Sequence, residues 1–301
     1  MGDRLPSWVP GATRTAVEQF LDRAVDVPVE QRVACFDNDG TLWCERPTYP
    51  QFDFFVDVLT TAVGKDPALA REPEFAALIS HDQVAIGELG LERIALALAG
   101  LCNGLAPEEF TALVRDFMSR AMHPTLDRPL RANTYQPMLE LLLALRDLDF
   151  TLAVVTGGGT EFVRALSQDL YAVPPERVVG TLIEYDYSDA AGRPALTRTA
   201  RLVGGANEGS VKVSNIQTQL GRRPILAAGN SGGDRQMLEW AATGAGPTLA
   251  LLVDHDDDQR EFRYVSSAET FAESEPITDV ARREGWTVVS MAKDWSTVFA
   301  G

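Results

Sequence analysis

Residues 32–41 read Arg-Val-Ala-Cys-Phe-Asp-Asn-Asp-Gly-Thr, an apolar run of strand formers that ends in an acidic, glycine-containing turn. Such a run suits a strand buried on both faces of a parallel sheet, which delivers the following side chains at its carboxyl end. Those side chains include Asp37 and Asp39. Two carboxylates two residues apart repel each other unless a cation or a shared proton offsets the charge. A bound Mg²⁺ is one solution, since hard cations take oxygen ligands. A turn in which one Asp caps the backbone is the other.

Outward from this strand, 13–27 reads as an amphipathic opening helix with Val17, Phe20, Leu21 and Ala24 on one face. From residue 50 to 129 helical runs dominate: 52–63, 73–80, 88–101 and 107–122, punctuated by Pro67, Gly87, Gly104 and Pro124. No strand pattern is found there, and the segment reads as an inserted, all-helical domain. Alternation then resumes, with helices over 137–148, 161–170, 211–220 and 234–241 and strands over 150–156, 225–229, 248–254 and 286–290. Segments 178–187 and 195–203, joined by the Asp189–Gly192 turn, predict a β-hairpin excursion. Strands separated by helices imply an α/β fold, a doubly wound and mostly parallel sheet covered on both faces. Residues 1–49 and 130–301 form this core, and 50–129 the helical insertion.

The 301 residues suffice for one large or two modest domains, and 45% apolar with 23% charged residues is ordinary for a globular chain. Acids outnumber Lys+Arg by 43 to 27, giving a net charge of −16. A field of that sign repels nucleic acid and anionic membranes, so neither is an expected partner. Cys35, Cys44 and Cys102 form no CxxC pair and suit reduced thiols. Residues 1–24 lack the apolar core of a signal peptide, and no run has the length of a membrane span. A cytoplasmic location is expected.

Ligands of parallel α/β sheets bind beyond the carboxyl ends of the strands. Four chemistry-bearing segments fall at such termini: Asp37-Asn-Asp-Gly-Thr41, Thr156-Gly-Gly-Gly159, Lys212, and Gly229-Asn-Ser-Gly-Gly-Asp234. Lysine is scarce, with Lys65, Lys212 and Lys293 the full set, so one falling between the second and fourth segments carries weight. Together, in this order, they resemble the motifs of the haloacid dehalogenase (HAD) superfamily, in particular its phosphatases with a helical cap, such as phosphoserine phosphatase. The resemblance spans roughly residues 32–254.

That resemblance implies a Rossmann-like core with a C1-type helical cap, Mg²⁺ as cofactor, and a role for each matching residue. Asp37 is the implied nucleophile, forming an aspartyl-phosphate. Asp39 is the implied general acid and later base, its carbonyl reaching the metal. Thr156, with the Gly157 and Gly158 amides, and Lys212 hold the phosphoryl group. Asn230 and Asp234 complete the metal site with Asp37 and Asp39. Many relatives carry Asp where this chain has Asn230, and an amide oxygen binds Mg²⁺ without bringing charge. Relatives that displace halide lack an acid at the Asp39 position, because halide leaves without a proton. Asp39 thus points to a phosphatase or phosphotransferase.

Plainer readings exist for each residue: Thr156 as a helix cap, Lys212 on the surface, Asp234 as a charge at a helix start. The segment after the first motif, residues 42–50, is the expected substrate region, with Trp43, Glu45 and Arg46 as candidates. Trp43 serves equally as a packing residue, and Glu45 sits one position short of the acid that binds the substrate amine in phosphoserine phosphatases. His81, His123 and His255 read as surface or packing residues, and Asp254–Asp258 as a solvated acidic loop. The expected activity is Mg²⁺-dependent hydrolysis of a small phosphorylated metabolite. Phosphotransfer, as in mutases, shares the same aspartates, and a non-catalytic phospho-ligand sensor would keep the same pocket.

Overall fold

A computed structural model describes residues 3–189 and 192–301; Ala190 and Ala191 of the expected hairpin turn lie outside the described residues. Seven strands form one sheet: β1 (Val33–Phe36), β2 (Thr151–Gly159), β3 (Val178–Ser188), β4 (Ala195–Val203), β5 (Leu226–Gly229), β6 (Leu249–Asp254) and β7 (Thr287–Ser290). Their order is β4-β3-β2-β1-β5-β6-β7. All pairings are parallel except β3 with β4. The sheet is the α/β, mostly parallel one that the alternation of elements predicts.

The chain forms two compact units. The first comprises 3–47, 122–181 and 206–301. It carries the parallel strands with helices α1 (Ala12–Ala24), α7 (Gln136–Arg146), α8 (Thr160–Tyr171), α9 (Ser210–Leu220), α10 (Arg235–Ala242), α11 (Ile277–Glu284) and α12 (Met291–Asp294). Every residue of β1 and β5 is buried, as continuous apolar strands sandwiched between helices require. One apolar cluster runs from Val33 and Cys35 through Ala153, Val155, Ala227 and Leu252 to Met237, Leu238 and Val280 on the covering helices. After β1 the chain builds β2 and β3 on one side, then returns to lay β5 on the other. The carboxyl end of β1 is therefore a topological switch point, where open α/β sheets leave a crevice.

The second unit comprises 48–121 and 182–205. It holds α2 (Pro50–Lys65), α3 (Pro73–Ile79), α4 (Gln83–Leu89), α5 (Leu91–Gly100) and α6 (Pro107–Arg120), with the outer part of β3 and all of β4. Proline stands in the first turn of α2, α3 and α6, where its missing N–H costs nothing. The single helix expected over 88–101 is two, broken at Gly90, whose φ of 80° is open to glycine at little cost. Phe54 anchors the interior edge-on to Phe110 and Phe117 at 5.6 and 5.7 Å. The sequence reading grouped the hairpin with the α/β core; the structure groups its outer part with the helices. Arg198 on β4 explains this. Its N–H donates to the Leu105 carbonyl, its carbonyl accepts from Gly104, and its guanidinium lies 3.9 Å over the Phe110 ring.

Candidate active site

Every candidate catalytic residue lies in the first unit: Asp37 and Asp39 just past β1, Thr156 within β2, and Lys212 in the first turn of α9. Asp37 follows β1 directly, and its N–H continues the ladder to the Ala228 carbonyl of β5 at 2.9 Å. Asn230 follows β5, and Thr156 lies in β2. The strand expected to end at Thr156 runs on through the glycines instead. β2 runs through Gly159, which pairs with Thr181 across a register shift after Val155. Gly180 makes room for it, since a Cβ there would stand 2.9 Å from both the Gly158 carbonyl and Thr156 Cγ2. The Gly158 N–H turns back to Thr156 Oγ1 at 2.9 Å.

Lys212 sits at the centre, 2% exposed. Its ammonium donates to Asp37 Oδ1 at 2.6 Å, Asp234 Oδ1 at 2.6 Å and the Val155 carbonyl at 2.9 Å. Three donors meet three acceptors, so this is no surface lysine. Burial alone would lower its pKa, but Asp234 and Asp37 outweigh that and hold it above the ordinary value. Asp37 is pushed the same way by burial and by Asp234 and Asp39, with Lys212 opposing. Asp234 spends its other oxygen on the Asn230 and Ser231 amides at 3.0 and 3.1 Å, which shapes the loop after β5. Gly229 is obligatory beside it, because a Cβ there would meet the Asp234 side chain at 2.5 Å.

Asp39 accepts from Trp43 Nε1 at 2.8 Å on Oδ1, and from Asn38 Nδ2 and Thr156 Oγ1 at 3.2 and 3.4 Å on Oδ2. Burial holds its pKa up against these donors. Trp43 and Glu45, candidates for substrate contact, are 1% and 5% exposed and turned inward. Glu45 Oε1 accepts from Asn230 Nδ2 at 3.3 Å, and burial lifts its pKa to about 7. The third candidate, Arg46, is half-buried over the Tyr264 ring at 4.4 Å. The acidic run departs from the solvated loop expected, and of the two readings open for His255 the structure takes packing, against the Tyr264 ring at 4.3 Å. His255 is buried, with Nε2 2.8 Å from the Gly40 carbonyl and Nδ1 3.3 Å from Glu261 Oε2. A ring nitrogen at that distance from a carbonyl carries a proton. His255 thereby braces the Gly40 turn, whose φ is 72°. The clue was its position just past β6, at the same carboxyl edge of the sheet.

The donor set can be tested against Mg²⁺. Asp37 Oδ2 and Asn230 Oδ1 share a weak contact, the Thr41 hydroxyl at 3.4 and 3.5 Å. Two oxygen acceptors are thus left under-satisfied side by side. Three carboxylates, Asp37, Asp39 and Asp234, stand around one buried ammonium. This excess of negative charge over the one cation, with oxygen atoms to spare, fits a hard divalent cation. Among the described residues no group of three or more His, Cys, Asp or Glu is arranged for a metal.

A nucleophile-capable carboxylate beside a lysine, at the switch point of a parallel α/β sheet, defines the class: an enzyme working at the carboxyl edge of a Rossmann-like sheet. The chain belongs to the haloacid dehalogenase-like hydrolases, whose family pattern matches residues 34–239. Two solved structures share the fold. One is a protein with unknown function from Bordetella pertussis Tohama I, 19% identical, covering 86% of this chain and 98% of its own, with TM-score 0.54. The other is a conserved functionally unknown protein from Anaerococcus prevotii DSM 20548, 14% identical, covering 96% and 94%, with TM-score 0.62. No protein of curated function matches the chain. No helix among the described residues is long and apolar enough to cross a membrane.

Proposed function

We propose that the protein hydrolyses small phosphomonoesters through a covalent phosphate on Asp37. The reading is carried by one observation: Asp37 is fixed at the end of β1 by a buried lysine, with a second acid, Asp39, two residues on. Lys212 holds Asp37 Oδ1 in place and neutralises part of the charge brought by a phosphoryl group. Thr156, whose hydroxyl lies between Asp39 and the Gly158 amide, marks where the phosphoryl oxygens are received. Asp39 protonates the departing alkoxide and then takes a proton from the water that releases phosphate. The second acid is what separates this chemistry from halide displacement, whose leaving group needs no proton.

Asp37, the Asp39 carbonyl and Asn230 would hold Mg²⁺, with Asp234 anchoring the loop that carries Asn230. The ion would supply charge neutralisation for the transferring group. Asp37→Asn should abolish phosphate release from an aryl phosphate assayed with Mg²⁺, a loss of at least about 10³-fold. Undiminished turnover by that variant would refute the reading.

A further inference from the structure

Trp43 does more than fill the space behind the first motif. Its indole N–H reaches Asp39 Oδ1 at 2.8 Å, shorter than either donor contact to Oδ2. The ring is 1% exposed and packs against Phe162 at 6.3 Å, so its direction is set by the core. An indole nitrogen donates and never accepts. Asp39 Oδ1 therefore remains an acceptor in both protonation states, and a proton on this carboxyl belongs on Oδ2. Oδ2 is the oxygen beside Thr156. Oδ2 keeps only the longer contacts, and the Tyr171 hydroxyl, donating to Asn38 Oδ1 at 2.9 Å, turns the Asn38 nitrogen and not its oxygen toward Oδ2, so Asn38 offers a proton on Oδ2 no acceptor that would withhold it from the leaving group. Asn38 and Tyr171 are both buried.

We propose that Trp43 is a positioning residue that makes Asp39 a one-sided acid, reserving Oδ2 for the proton given to the leaving group. The inference rests on the phosphatase reading and deepens it. As the bond from Asp37 to phosphorus forms, the ester P–O bond breaks and its electron pair stays on the leaving oxygen. That oxygen takes the proton from Asp39 Oδ2, so a neutral alcohol departs and Asp39 is left as a carboxylate. In the second half, water attacks phosphorus, its proton goes to Oδ2, and the acid is restored with Asp37 free.

A tryptophan that only fills space would slow all substrates alike. A tryptophan that aims a proton matters most when the leaving group needs one. The test is steady-state turnover of the full chain with Mg²⁺ on 4-nitrophenyl phosphate, whose phenolate leaves unaided, and on n-butyl phosphate, whose alkoxide does not. Trp43→Phe should lower kcat/KM, which reports the step in which the leaving group departs, about tenfold more on the butyl ester than on the aryl ester. Asp39→Asn should show the same selective loss, and adding Trp43→Phe to it should change the butyl-to-aryl ratio no further. Tyr171→Phe, which removes one hydroxyl and keeps the ring, should act in the same direction more weakly. It decides the matter if Trp43→Phe does not fold. Equal slowing of both esters, or losses that add in the Asp39→Asn background, overturns the inference and leaves the phosphatase reading intact. A parent protein that turns over neither ester, indistinguishable from Asp37→Asn, overturns both.

Discussion

Acidic segments follow both β1 and β6, and by sequence alone Asp254-His-Asp-Asp-Asp258 is the denser of the two. In the structure they part company. After β6 the acids are shared out. Asp256 accepts from Ser290 Oγ at 2.5 Å and the Ala292 amide at 2.9 Å, and Asp257 pairs with Arg260 and caps the amides of 259 and 260. Asp258 faces solvent. After β1, Asp37 is joined by Asp234 from beyond the neighbouring strand through one shared ammonium, with Asp39 two residues on. The density of acids does not make a site. What distinguishes the β1 end is that three acids share one cation, and Asp37 Oδ2 keeps only a long contact to the Thr41 hydroxyl, a charge balance that a bound cation would complete.

The sharpest way to break this contrast is to remove the single ammonium. Lys212→Met keeps an unbranched apolar stem and leaves two buried carboxylates without their shared partner. Stability should fall by about 3–5 kcal/mol in chemical denaturation at neutral pH, as for other broken buried pairs. Phosphate release should drop with it, because the nucleophile loses the group that fixes it. A variant with parental stability would show that the acids at the β1 end need no cation to be tolerated.

A smaller effect should come from adding charge. Asn230→Asp restores the acid that many relatives carry, but here it sets a carboxylate against Glu45, which now accepts from the amide. Without metal, thermal melting should fall, since like charges in a buried site destabilise each other. With Mg²⁺ the variant should regain more stability than the parent does, because ligand binding to the folded state raises the melting point by mass action. Melting curves in EDTA and in excess Mg²⁺ compare the two. Equal Mg²⁺ stabilisation in parent and variant would remove Asn230 from the metal site.

These contrasts were partly legible beforehand. Asp37, Lys212 and Asp234 could be found because a parallel strand puts its next residue at the carboxyl edge, and each of the three sits at such an edge or at the first turn of a covering helix. Asn230 followed by the same rule. The directions of Trp43 and Glu45 could not be read, since both depend on which neighbour an inward side chain meets, Asp39 in one case and the amide of Asn230 in the other. His255 was hidden by the acids around it. The extension of β2 through the glycines could not be read, because tolerance for a turn and tolerance for close strand approach look alike until Gly180 is placed beside Gly158. The hairpin follows strand periodicity, and contacts such as those of Arg198 with Leu105 and Phe110 show where its outer part belongs.

The smallest expected effect tests the other half of the comparison. Asp257→Ala removes an acid from the denser run, one that is buried and holds the Arg260 guanidinium, which also donates to the Met291 and Trp295 carbonyls at 2.7 and 2.8 Å. The cost should be about 1–2 kcal/mol, with kcat unchanged. Burial raises the Asp257 pKa, but Arg260 and the two amides outweigh it and hold the folded value below the ordinary one. A depressed carboxylate contributes stability above its unfolded pKa, about 3.9, and loses it as pH falls through the lower folded value. The gap between parent and variant in urea unfolding should thus be full at neutral pH and close below about pH 4. If kcat fell as steeply as stability, the acids after β6 would have to be counted with those after β1, and partner-by-partner satisfaction would no longer separate scaffold from site.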